Sequence, residues 1–176
     1  MLRLTTVVTP ARFDRGLSYA AFLAQATVNI DKFEESYRTL PLLPTAVRIA
    51  ELTGLELRIF LRDENPDIMD EFLSNDGKSR AIPVFVFYTA DLGYITHFTE
   101  RSATAHAGLA AAMDEAKARL GLPANATFGN LPDDDRQKFL REVIAEVQPH
   151  LDQWRKDAIK EIRELLSVAL GIPNAG

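Results

Sequence analysis

The run Ile82-Pro83-Val84-Phe85-Val86-Phe87-Tyr88 constrains this chain more than any other segment. It is almost continuously apolar. A strand with one wet face would alternate apolar and polar side chains, so this run predicts a strand buried on both faces. Asp91-Leu92-Gly93 then supplies a turn and Tyr94-Ile95-Thr96-His97-Phe98 returns, which predicts an antiparallel hairpin. Pro83 at the head of the run cannot donate to a ladder. It suits either a plain first-residue position or a cis peptide in a tight turn. With a cis bond, the main chain of Ala81 and Ile82 would be left to pair with an extended peptide by strand addition.

Upstream, Leu55, Leu57, Ile59 and Leu61 alternate with Glu56, Arg58, Phe60 and Arg62, which predicts a strand with one covered and one mixed face. The preceding segment from Pro44 reads as a helix stopped by Gly54. Asp63-Glu64-Asn65-Pro66 is a turn that sets Pro66 as a first helical residue. A short helix through Ile68, Met69, Phe72 and Leu73 follows and ends in Asn75-Asp76-Gly77. Nearer the amino end, Leu17, Phe22, Leu23 and Ala26 form one helical stripe and Ile30, Phe33 and Tyr37 another. Asp31 and Glu34 fit a capping box for the second.

Beyond the hairpin, Ser102 is a good N-cap for an alanine-rich helix with a stripe of Leu109, Met113, Ala116 and Leu120. Residues 121–132 are dense in loop chemistry. Asp133, Asp134 and Asp135 open a further helix, complementing its dipole, with Phe139, Leu140, Val143, Ile144 and Val147 as its buried side. Pro149 breaks it. A last helix carries Leu151, Trp154, Ala158, Ile162, Leu165 and Ala169, and at that spacing Trp154 reads as core rather than as a partner's anchor. The expected organisation is an amino-terminal helical segment over 1–40, a core over 41–120 and a carboxy-terminal helical extension over 121–176.

Composition narrows the chemistry. The chain has 176 residues, 47% hydrophobic, a net charge of −5 and no cysteine. An acidic balance disfavours phosphate backbones, so nucleic acid is not expected as a partner. No segment reaches the roughly 20 apolar residues that span a bilayer, and the amino end is no credible signal peptide. No membrane partner is expected, the expected location is the cytoplasm, and the sequon at Asn125 is a coincidence of loop composition. Zero cysteines exclude disulfides, thiolate metal sites and thiol nucleophiles.

Other motifs fail on spacing. Gly77-Lys78-Ser79 matches the tail of a phosphate-binding loop, but Phe72 stands where the first glycine belongs and a helix, not a strand, precedes it. His97, His106 and His150 share no metal-ligand spacing. Asp63, Glu64, Asp67 and Asp70 lack the glycine and ligand spacing of a calcium loop. No Gly-x-Ser-x-Gly elbow occurs. No catalytic residue, metal or cofactor is assigned.

Residues 55–69, 79–88 and 98–101, together with Leu17-Ser18-Tyr19, residues 33–38 and the closing helix around Trp154, Glu161, Ile162, Leu165 and Leu166, are similar to bacterial thioredoxin-like proteins. The resemblance implies an α/β fold and places Ile82-Pro83 at the family's cis-proline position. It also implies a central strand and a cysteine-bearing turn ahead of the first core helix. Here Tyr37-Arg38-Thr39-Leu40-Pro41-Leu42 runs straight into that helix, so both are expected to be absent. The missing strand would lie between residues 55–61 and 82–88, parallel to the first and antiparallel to the second. The expected fold is therefore a reduced thioredoxin-like sheet flanked by helices, with helical extensions at both ends. Its two core strands would pair directly, or an open edge would recruit a second copy.

Without a thiolate there is no dithiol–disulfide exchange. The leading expectation is a redox-inactive thioredoxin-like protein that binds an extended peptide or protein at Ala81, Ile82 and Pro83. The alternatives are a cysteine-independent enzyme that binds a small thiol, and a truncated relative without independent function.

Overall fold

Gly54 ends the helix that precedes it as its position predicts, with φ 68° in the left-handed region and its N–H on the Ala50 carbonyl. That helix, α1 (Leu43–Thr53), belongs to a computed structural model that describes residues 2–5 and 42–173. The helical stripes expected over 17–38 and the Asp31–Glu34 capping box lie outside the described residues.

The strands are β1 (Leu2–Thr5), β2 (Glu56–Arg58), β3 (Val84–Thr89) and β4 (Tyr94–Thr99), in one sheet of order β2-β1-β3-β4. β1 pairs in parallel with β2, setting Arg3, Leu4 and Thr5 opposite Glu56, Leu57 and Arg58. It pairs antiparallel with β3, from Leu2 opposite Thr89 to Thr5 opposite Val86.

This arrangement corrects the expected sheet. The place between the two core strands, thought to be empty, is filled by the chain's own residues 2–5. β2 and β3 therefore do not pair directly, and no bare edge is left between them. Four residues hold only two periods of alternation, too few to stand out beside an apolar run interrupted before Pro10. β2 is also shorter than the alternation over 55–61, because the chain enters a 3-10 turn at Arg62–Glu64. Asn65 closes that turn by donating from Nδ2 to the Leu61 carbonyl at 2.9 Å.

Pro66 opens α2 (Pro66–Met69), which tightens into a 3-10 turn over Asp70–Phe72. Ile68, Met69 and Phe72 pack against Val84, Val86 and Tyr88, one face of β3. On its other face Phe85 and Phe87 are also buried, and the Phe85 ring lies 6.2 Å from Phe98 on β4. The expectation of a strand covered on both sides holds.

The chain divides into two compact units, Met1–Glu100 with Lys160–Gly176, and Arg101–Ile159. In the second, Ser102 caps α3 (Ala103–Leu120) by accepting from the Ala105 N–H at 3.3 Å. Asp133, Asp134 and Asp135 form the first turn of α4 (Asp133–Val147). Phe139 and Val143 of α4 pack with Ala116, Ala126 and Leu131. The full apolar side expected of α4 needs correction, since Leu140 and Ile144 are 42% and 48% exposed. Phe139 and Val143 face the cluster, while each following residue is rotated about 100° away from it.

A 3-10 turn over Gln148–His150 contains Pro149 and leads into α5 (Leu151–Leu170). Trp154 is half-buried, not enclosed. A Cβ on Gly108 would clash with Trp154 Cζ2, so this approach of α3 to the indole requires glycine. No described helix is long and apolar enough to cross a membrane.

Candidate functional site

Residues 74–83 form the approach to β3. Ser74 and Ser79 exchange main-chain hydrogen bonds of 2.9 and 3.1 Å, closing a loop over residues 75–78. Asn75, Asp76 and Gly77 all have φ between 54° and 78°. Asparagine, aspartate and glycine tolerate that region best, which is why this triplet ends the helical stretch. Gly77-Lys78-Ser79 thus lies in a closed turn behind a 3-10 helix, not in a strand-to-helix phosphate loop.

Arg80 is clamped. Its Nε and Nη2 donate to the two carboxylate oxygens of Asp70 at 2.7 and 2.8 Å, a bidentate pair between chain neighbours of β3 and α2. Hydrogen bonding and the negative charge of Asp70 raise the guanidinium pKa further. The pair is solvent-exposed, so it orients the chain more than it stabilises it. Neither partner was legible as a pair, because a separation of ten residues matches no helical or strand period.

Beyond the clamp, Ala81 and Ile82 are half-buried and Pro83 is buried. The Ile82–Pro83 peptide is cis. The Pro83 carbonyl accepts from the Glu100 N–H at 2.7 Å, so the residues before β3 are tied to the end of β4. Ile82 packs against the cluster of Ile68, Met69, Phe72, Val84, Val86 and Tyr88. Among the described residues, no hydrogen bond engages the main chain of Ala81 or Ile82. The three sequence-predicted site residues therefore sit together at the head of β3. Among the described residues, the main-chain polar groups of Ala81 and Ile82 are unused while the Pro83 carbonyl is taken by Glu100.

A second feature was missed from sequence. The register slips between Phe87 and Tyr88, so Tyr88 faces Tyr94 while Phe87 faces Thr96, and Ile95 is the extra residue. The bulge brings Tyr94 and His97, three apart, to one face. Their side chains share a hydrogen bond of 2.7 Å between Tyr94 Oη and His97 Nδ1. The His97 ring meets Phe72 edge-on at 5.3 Å.

Partial burial holds the His97 pKa below the ordinary histidine range. The folded state then binds its proton less readily than the unfolded chain, so stability falls as the pH drops through the unfolded value of about 6.5. The urea midpoint is expected to be lower at about pH 5.5 than at about pH 7.5, and His97→Gln should flatten that part of the profile. An unchanged slope in the variant would assign the titration elsewhere.

His106 and His150 are exposed, and His150 stacks on Trp154 at 5.9 Å. No group of three or more metal-ligating side chains occurs among the described residues. In the acidic turn, Asp63 accepts from Arg62 and Asp70 from Arg80.

A thioredoxin family model matches residues 38–117, which contain α1, β2, β3, β4, most of α3 and all of the site above. No curated protein and no solved structure matches the chain. β1 lies outside the matched segment, and the chain contains no cysteine. Over residues 38–117, somewhat under half of its length, the chain is similar to the thioredoxin family.

Proposed function

We propose that this chain is a thioredoxin-family protein that carries out no thiol–disulfide exchange and instead binds an extended peptide along Ala81, Ile82 and Pro83. The observation that carries the binding half is that, among the described residues, no hydrogen bond engages the main chain of Ala81 and Ile82 at the head of β3. An extended segment can satisfy such groups as an added strand, while the side chains it presents set specificity. The Glu100–Pro83 hydrogen bond and the packing of Ile82 hold the acceptor segment in place before any ligand arrives, which lowers the ordering cost of binding. The redox half follows from chemistry. Exchange needs a thiolate to attack a disulfide sulfur, and none of the 176 residues is cysteine.

The test uses acetylated, amidated octapeptides of alternating valine and threonine, titrated against the whole chain. Strand addition engages every second peptide amide. N-methylation at one alternate set is therefore expected to weaken binding about tenfold or more, and methylation of the other set to leave it unchanged. Equal effects at all positions, or no binding, would refute the site. In a disulfide-reductase assay the chain should add nothing to the rate given by free dithiol, and catalysed turnover would overturn the redox half.

A further inference from the structure

The Arg80–Asp70 clamp forms one wall of an open cavity of about 670 Å³, lined also by Arg62, Leu73, Gly77, Lys78 and Ser79. Three of its lining residues are cationic and one is acidic, in a chain whose net charge is −5. Arg80 is neutralised by its bidentate partner. Arg62 engages Asp63 through Nε alone, at 2.8 Å. Lys78 makes no ion pair among the described residues. The cavity thus keeps unused cationic donors on two side chains, and it begins at the residue that precedes Ala81.

We propose that the peptide bound along Ala81–Pro83 carries an acidic side chain that Arg62 and Lys78 hold in this cavity, an inference that rests on the peptide-binding reading above. The geometry is sequential. A segment paired with Ala81 and Ile82 continues past Arg80 over the cavity mouth, where a carboxylate meets the free guanidinium nitrogens of Arg62 and the ammonium of Lys78. Leu73, 37% exposed at the wall, suits the methylenes of such a side chain. A basic residue at the same place would face Arg62 and Lys78 and be rejected, so the site discriminates by repulsion as well as attraction.

The experiment compares the valine–threonine octapeptide carrying a single glutamate, moved position by position, with its glutamine counterpart. At one position the glutamate peptide should bind about fivefold more tightly than the glutamine peptide, the size expected of one or two solvent-exposed ion pairs. That advantage should vanish at about 0.5 M salt, where charges are screened within a few ångströms. In Lys78→Glu, an exposed substitution, a lysine peptide should become the preferred ligand. Glutamate and glutamine peptides that bind equally at every position would overturn this inference and leave the peptide site standing. Failure of all peptides to bind would remove both.

Discussion

A chain lacking residues 1–5 is expected to lose its cooperative unfolding transition and to self-associate. Among the described residues, β1 is the only strand that touches both β2 and β3, through three paired positions on one side and four on the other. With one net hydrogen-bond contribution of about 0.5–1.5 kcal/mol per pair, the two ladders together supply roughly 3–10 kcal/mol. That is comparable to the whole stability of a typical domain, about 5–15 kcal/mol. Removing β1 also uncovers the edge of β3, whose Val84, Phe85, Val86, Phe87 and Tyr88 are all buried. An unpaired edge of that composition is a template for pairing with another copy. Thermal melts followed by circular dichroism, with sedimentation to read the mass, check both halves. A truncated chain that melts like the parent and stays monomeric would show that β2 and β3 hold together without β1.

The same strand shows where sequence reading stops. β3 and β4 were legible because a long apolar run and a turn leave few alternatives. So were the Gly54 stop, the Pro66 start and the Ser102 cap, each of which solves a local hydrogen-bond or backbone problem that its residue type announces. β1 was not, since its partners lie more than fifty residues away and nothing in Leu2-Arg3-Leu4-Thr5 specifies them. Its residues also precede the segment that carries the family likeness. For the candidate site, the special position of Pro83 was legible through the proline's inability to donate, and the binding role of Ala81, Ile82 and Pro83 is the proposal made above. The Arg80–Asp70 clamp and the Tyr94–His97 pair were not, because one depends on tertiary approach and the other on a bulge that breaks the two-residue period.

In the second compact unit, Phe139→Ala is expected to cost about 3–5 kcal/mol, the range for truncating a fully buried aromatic side chain. Phe139 is fully buried, its ring centroid 4.8 Å from that of Phe128. Ala116 of α3, Ala126 and Leu131 of the connecting loop and Val143 of α4 complete the cluster. Leu122 and Phe128 of the loop pack against the cluster as well, and Asn130 fastens the loop by accepting from the Thr127 N–H and donating to the Asn125 carbonyl, both exposed bonds. Arg119 of α3 pairs with Glu142 and Glu146 of α4, at 3.4 and 2.5 Å, but exposed pairs of this kind contribute less than about 1 kcal/mol each. The ring therefore outweighs the ion pairs as the tie between α3, the loop and α4. The adjacent Leu140, 42% exposed, supplies the comparison, and Leu140→Ala should shift stability by no more than about 1 kcal/mol. Urea denaturation of both variants separates the two residues. Equal losses would mean that the cluster around Phe139 collapses on truncation, or that Leu140 is covered in solution.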